Sequence, residues 1–387
     1  MLAFGRPWCH IFYMKMRIFA LATIVMFSAS CGDSDDNNTI TVNPGDSIQE
    51  AVNAAPAGSR ILVNPGTYMA MHGGAASVLV EKSLHLIANV VDGETAVIVP
   101  GPGNTEGILV QGTEDAFVKD IVIRNFSIQG FSENGIWTRY VDGFEITDND
   151  VGDSDHVGIY PTLSANGLVR DNIAYGGTDS ALWVTGAEDI RVINNTVHTS
   201  PTGLEITVSQ RVEMVENVSY NNVVGIGLYH DLDAGIDPRD GLGYGGLTGL
   251  VARNEVYDNN LPNPVQGGLV GDLPTGLGIL IVGNDGGDIQ DNTVYDNDFA
   301  GLVLIDMCLA TGRTDDDCLP DDTRIVGNTI TGNGNDPPEH PFAGLASDVI
   351  VLGPGERNCM ADNTYDTTLT PDAIAAITQP SCPPIGG

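Results

Sequence analysis

Three residues able to move protons or bind hydroxyls recur at one spacing: Glu133, His156 and Asp179 stand 23 residues apart. Four positions on from each, Trp137, Tyr160 and Trp183 repeat the same 23-residue interval, and Glu205 follows 22 residues later. Arg139, Thr162, Thr185 and Thr207 trail that column by two residues. If equal spacing becomes equal position, a carboxylate, an imidazole and a guanidinium border a column of rings. Such a group could abstract a proton beside a carbonyl, with His156, Arg139 or Tyr160 taking it and Glu205 or Tyr229 assisting. The column could instead bind sugar rings, with Trp137, Tyr160, Trp183, Glu133, Asp179 and Tyr229 as contacts. The plainer alternative is that outward rings stack on one another and strengthen the scaffold, His156 being a hydrogen-bonded surface residue.

The elements that would align these residues are announced by a recurring asparagine: Asn125, Asn149, Asn172, Asn195, Asn217, Asn254, Asn292, Asn328 and Asn363. The first four intervals are 24, 23, 23 and 22 residues and the last four are 37, 38, 36 and 35. A period in this range means stacked units, none able to bury its apolar face alone. Each repeat holds short β-type runs such as Phe144-Glu145-Ile146 and Arg191-Val192-Ile193, separated by Asn, Gly and Asp. No apolar 3.6-residue stripe of helical length interrupts them. The expected fold is all-β, a right-handed parallel β-helix, with its asparagines stacked as an amide ladder about 4.8 Å apart. A leucine-rich repeat shares the apolar-x-x-Asn-x-apolar pattern and is the rival, but it requires a helix in each unit. The triplets Asn125-Phe126-Ser127 and Asn217-Val218-Ser219 match a glycosylation pattern and are read as structural amides instead.

A solenoid needs caps. Asp46-Ser47-Ile48-Gln49 predicts a short helix over 47–55, and Thr370-Pro371-Asp372 predicts a closing helix over 373–377. The longer late intervals place insertions near 229–245, 260–275, 306–322 and 332–343. Stacked at one corner they would form a wall, where function commonly sits, or they could merely cover the sheet. Within the first, Asp231, Asp233, Asp237 and Asp240 alternate like a calcium loop but lack its terminal glutamate. Calcium there competes with a solvated acidic loop; no other cofactor is implied.

Residues 1–30 read as an export signal: Met14-Lys15-Met16-Arg17 supplies charge, 18–27 an apolar run and Ser28-Ala29-Ser30 small residues, with 1–13 readable as an upstream start. Cys31 then stands where a bacterial lipoprotein is lipidated, although Ser28 replaces the usual leucine, and 31–38 would be a polar tether. The domain would span 39–387, at the cell envelope on a lipid anchor, or secreted. The remaining cysteines suggest Cys308–Cys318 and Cys359–Cys382, with other pairings and zinc as alternatives. The formal charge is −35, and Lys82 and Lys119 are the only lysines beyond the export segment. Such a field excludes nucleic acid and anionic lipid as partners and disfavours polyuronates without bridging cations. A monomer is expected, touching a membrane only through its anchor.

Pro44-Gly45-Asp46-Ser47-Ile48-Gln49-Glu50-Ala51, followed by Val63-Asn64-Pro65-Gly66-Thr67-Tyr68, resembles the opening coils of pectin-lyase-like right-handed β-helix proteins. Gly158-Ile159-Tyr160-Pro161, 256–263 and 275–280 are similar to a narrower set of secreted bacterial β-helix repeat proteins, mostly of unassigned activity. The resemblance implies the fold and little about function, because this superfold hosts lyases, epimerases, hydrolases and binding scaffolds. Asp237-Pro238-Arg239-Asp240 is similar to the Asp-Pro-His-Asp signature of alginate epimerases, but arginine replaces histidine and the segment lies in an insertion, so the role is not carried over. Three functions stand open: polysaccharide binding, a polysaccharide lyase or C5-epimerase, and a structural surface protein without ligand.

Overall fold

The computed structural model describes residues 38–70, 74–230, 249–312 and 318–383. Each lap of the chain lays down three short strands, as in Ile136–Arg139, Val141–Thr147 and Asp150–Gly152. The next lap repeats them as Val157–Thr162, Ala165–Arg170 and Ile173–Tyr175, each pairing in parallel with its predecessor. Among the described residues this produces three parallel sheets of 12, 10 and 11 strands. Parallel connections of this kind are right-handed. The four α-helices among the described residues are short and lie at the ends or in the insertions, which removes the leucine-rich alternative.

Inward side chains are almost all β-branched or aliphatic, and one continuous core runs from Val42 to Ile377. Corners are sharp because the residue before each ladder asparagine adopts a left-handed conformation, including Asp148, Asp171, Asn194, Glu216, Asp291 and Asp362. Asp and Asn tolerate that region better than other residues carrying a β-carbon. The following asparagine turns inward. The Asn149 side-chain amide donates to Asn172 Oδ1 at 3.0 Å, Asn172 to Asn195 at 2.9 Å, and the series continues to Asn363. Asn125 is not a rung: the Phe126 backbone N–H donates to Asn149 Oδ1, so Phe126 occupies the ladder position and Asn125 reaches Ala88 O instead. The 24-residue first interval, one longer than its neighbours, carries that slip.

A second ladder stands at another corner. Asn222, Asn259, Asn297 and Asn333 pass hydrogen bonds in the same direction, and Asp348 ends the series as a pure acceptor. The helix Ile48–Ala54 closes one end, with Ser47 Oγ accepting from the Glu50 N–H. Gln49 from this helix bonds both the N–H and the carbonyl of Leu79, covering an edge-strand position as a neighbouring strand would. The helix Pro371–Ile377 closes the other end by burying Ile374 and Ile377. Thr370 sits at its N-cap position, yet its hydroxyl accepts from the Val351 N–H rather than from the helix. Disulfides join Cys308 to Cys318 and Cys359 to Cys382.

The ten-stranded sheet carries two different outer surfaces. Over its later strands a second apolar core forms from Leu277, Leu280, Val303 and Ile350 against Leu261, Leu269, Met307 and Leu345. Those covering side chains come from the segments 258–276, 306–323 and 332–346. The earlier strands, from Ala76–Val80 to Ser180–Thr185, carry the ring column, and the strand Thr202–Thr207 separates them from this wall.

Candidate functional site

Strand register places the candidate column on that earlier stretch. Trp137 stands beside Tyr160, and Trp183 beside Glu205. Backbone bonds from the His156 N–H to Glu133 O and from the Asp179 N–H to His156 O stack the preceding turn into a row, Glu133, His156, Asp179. Equal spacing has therefore become equal position.

The rings stack face to face, at 6.0 Å between Trp137 and Tyr160 and 4.9 Å between Tyr160 and Trp183. Their faces are consequently used on each other, and Tyr160 and Trp183 are only 9% and 8% exposed. What reaches outward is ring edge, together with the more open Trp137. Each indole is fixed by the next lap: Trp137 Nε1 donates to Thr162 Oγ1 at 2.9 Å and Trp183 Nε1 to Thr207 Oγ1 at 2.7 Å. Tyr160 has no such donor, and the Thr185 hydroxyl in the same column is buried without a partner. Burial pushes the Tyr160 phenol up, reinforced by the charges of Glu205 and Asp179.

His156 is held on every side. Its Nδ1 lies 2.9 Å from Asn134 Oδ1 and its Nε2 3.5 Å from Asp179 Oδ2. The ring meets Tyr160 and Trp183 edge-on at 5.6 and 6.1 Å. Asn134 is itself oriented by Glu106, whose Oε2 accepts from both the backbone N–H and the side-chain amide of Asn134 at 3.0 Å. The bond to Asp179 raises the imidazole above its usual range against the opposing effect of burial, and the charges of Asp179, Glu133 and Glu106 add to the rise. Desolvation likewise pushes the Glu106 carboxyl up.

Glu205 ends the ring column as a 5% exposed carboxylate that accepts from Ser180 Oγ at 2.5 Å. Beyond it Gly227 leaves a gap that Tyr229 fills. A β-carbon at Gly227 would lie 2.3 Å from the Tyr229 ring, which folds back across its own strand. Tyr229 is 2% exposed and its phenol is pushed well up by burial. The phenol faces the Thr202 hydroxyl, but neither group completes a hydrogen bond. Tyr229 thus lies at the seam with the apolar wall, which includes it. Arg139 stands apart from His156, with its guanidinium 5.9 Å from the Trp137 ring and 5.2 Å from the Tyr140 ring.

Residues 97–237 match a family model described as the right handed beta helix region. The chain is a right-handed parallel β-helix protein. Solved β-helix structures agree with it over most of its length. The A-module of the mannuronan C-5 epimerase AlgE4 from Azotobacter vinelandii superposes with a TM-score of 0.53 at 16% identity, over 82% of this chain and 94% of that one. DFA-IIIase from Arthrobacter chlorophenolicus A6, in complex with DFA-III, gives a TM-score of 0.52 at 13% identity, over 91% of this chain and 100% of that one. The uncharacterized protein YwoF of Bacillus subtilis (strain 168) is 29% identical over 46% of this chain, a match spanning 45% of the relative's length.

In this β-helix protein the sequence pattern located Trp137, Tyr160, Trp183, Glu133, His156, Asp179, Glu205 and Arg139 on one sheet and its preceding turn. It missed Asn134 and Glu106, because nothing in their spacing marks them as partners of His156. It also missed a second ring ladder on the 11-stranded sheet: Tyr175, His198, Tyr220, Tyr257 and Tyr295 stack at 4.9, 5.0, 5.5 and 5.1 Å. That signal was available, since each of these rings lies three residues after a ladder asparagine. Asp231, Asp233, Asp237 and Asp240, the calcium candidates, fall outside the described residues, as do Cys31 and the whole of 1–37.

Proposed function

We propose that this β-helix protein binds a polysaccharide at the earlier strands of its ten-stranded sheet, along the row Glu133, His156, Asp179 and the edges of Trp137, Tyr160 and Trp183. The observation that carries the reading is the row itself. Three polar side chains are stacked lap upon lap beside a rigid ring column and end short of an apolar wall, with the strand Thr202–Thr207 between, which is a small set of fixed polar groups on an apolar floor. The solved neighbours include an enzyme named for mannuronan, which is consistent with a glycan as ligand. Carboxylates, and an imidazole in its neutral form, accept hydrogen bonds from sugar hydroxyls, so the row suits a neutral glycan. Proton abstraction ranks second. The acids around His156 favour its charged form, which cannot act as a base, burial keeps the Tyr160 proton on, and Arg139 lies over other rings.

Exposure at the cell envelope, through a lipid on Cys31 or by secretion, belongs to the same reading. The two disulfides support it, since such bonds persist in oxidising compartments. A calcium ion on Asp231, Asp233, Asp237 and Asp240 remains an accessory proposal. The test is a polysaccharide array with and without calcium, using the wild type and a Trp137→Ala/Asp179→Ala double variant. Binding by the wild type that the variant loses is expected. Silence across the array in both conditions leaves a structural role as the function.

A further inference from the structure

We propose that His156 and Asp179 form a proton-operated latch, shut as an ion pair and, when open, receiving the two hydroxyls of a vicinal diol. The inference rests on the glycan reading above and assigns that site both a recognised group and a control.

It follows from the hydrogen-bond chain behind the imidazole. Asn134 commits its side-chain N–H to Glu106 Oε2, so its carbonyl oxygen must be the atom at 2.9 Å from His156 Nδ1. Reversing the amide would set that oxygen against the Glu106 carboxylate. An amide oxygen only accepts, so Nδ1 carries a proton in both charge states, and Nε2 is the nitrogen that titrates. Nε2 faces Asp179 Oδ2 at 3.5 Å. With its proton, Nε2 donates to Asp179 and the two side chains satisfy each other. Without it, a lone pair faces a carboxylate and no hydrogen lies between them. Two acceptors on adjacent laps then present themselves to solvent. Hydroxyls on neighbouring carbons of one sugar supply one donor to each, which a single hydroxyl cannot.

The charged groups that bear on the imidazole come from every element packed on it. Glu106 lies on the strand Glu106–Gln111, Glu133 on the turn before Ile136–Arg139, and Asp179 on the turn before Ser180–Thr185. Glu205 and Arg139 act on Tyr160, whose ring abuts the imidazole. The acids acting directly on His156 all favour the shut state, so opening requires a rise in pH.

The test uses the wild-type protein and an Asp179→Asn variant with galactomannan, a neutral polysaccharide rich in vicinal diols. Isotope-edited NMR of His156 is read in parallel with calorimetric titration from pH 5 to 9. The neutral imidazole should carry its proton on Nδ1, and its midpoint should lie above the ordinary value of about 6.5. Below that midpoint, galactomannan affinity should fall by up to about tenfold per pH unit, because one proton leaves on binding. Asp179→Asn should lower the midpoint and weaken binding above it. A neutral form protonated on Nε2, or galactomannan affinity that stays flat while His156 titrates, overturns the latch and leaves glycan binding standing. Absence of galactomannan binding at every pH removes the diol, while the polysaccharide array judges the glycan reading and the NMR titration judges the ion pair by itself.

Discussion

Asn254 is the rung where the scaffold's dependence on its amide ladder can be measured. Its Oδ1 accepts from the Asn217 backbone N–H at 2.9 Å and the Asn217 amide at 3.0 Å, and its own amide donates to Met214 O and Asn292 Oδ1, both at 2.9 Å. Asn254→Ala leaves the Asn217 N–H and the Met214 carbonyl without these partners in a position that is 1% exposed. The Asn217 amide keeps Val192 O, and Asn292 Oδ1 keeps the residue-254 backbone N–H. The Met214 carbonyl keeps its ladder bond from the Ala252 N–H, so one orphaned buried group, the Asn217 N–H, gives a loss of about 1–3 kcal/mol. Asn254→Asp separates accepting from donating. The carboxylate still accepts from Asn217, but it sets lone pairs against Met214 O and Asn292 Oδ1, both acceptors. Its cost at neutral pH should match the alanine variant. Because protonation restores one donor, the folded state of that variant holds its proton to higher pH than the unfolded chain does. Stability should therefore be recovered as pH falls toward the unfolded carboxyl value of about 3.9. Guanidinium denaturation followed by tryptophan fluorescence and backbone circular dichroism measures both. A loss below about 1 kcal/mol for either variant at pH 7 would refute the claim that the ladder is a satisfied chain rather than a row of independent side chains.

Gly227→Val should expel the Tyr229 ring from its groove, costing about 1–3 kcal/mol by overpacking and raising tyrosine accessibility to nitration. Unchanged stability and accessibility would mean the ring has another resting place. In the second ring ladder, burial holds the His198 imidazole below its ordinary value, so the folded state binds that proton less readily than the unfolded chain. Stability should accordingly fall as pH drops through about 6.5 toward the lower folded value, and His198→Tyr should flatten that part of the pH–stability curve. Because His156 contributes an opposite slope to both proteins, a difference between the wild-type and variant curves that stays constant from pH 7 to 5 would contradict it.

The β-helix was legible because its period is written in side chains with one job. Asn149, Asn172 and Asn195 each need the same corner, and that need fixes the register of everything between them. The column Trp137, Tyr160, Trp183 and Glu205 could be read because register on a parallel sheet follows directly from spacing. Asn125 misled because a residue type can match a pattern one position away from the geometry that uses it. Ring orientation was not legible either. Outward aromatics at a lap's rise must choose between offering their faces to a ligand and to each other, and only the Thr162 and Thr207 hydroxyls that fix Trp137 and Trp183 decide it. Glu106 and Asn134 escaped because they lie on two successive laps, Glu106 at the end of a strand and Asn134 in a turn. Their meeting at His156 is a property of the turn's conformation, not of sequence spacing.

The distribution of the few basic residues bears on what the proposed site would accept. Arg191, Arg211, Arg253 and Arg324 lie along the 12-stranded sheet or its corners, paired with Glu213, Asp189, Glu216 and Asp288 at 3.3, 2.7, 3.0 and 2.8 Å. Those pairs neutralise one face of a strongly acidic chain. The row on the other sheet receives no such treatment, as the direct electrostatic influences on His156 come from Asp179, Glu133 and Glu106. A polyanion laid there would meet carboxylates in a field that is already negative, and each added carboxylate would raise the energy of the complex. Hydroxyl groups meet the opposite condition, since the acids in the row are acceptors, Asp179 becoming free to accept once the His156 Nε2 proton is gone. Under the proposed glycan reading, the sparing placement of arginine would favour uncharged sugars, and the state of one imidazole would set how many acceptors the row presents.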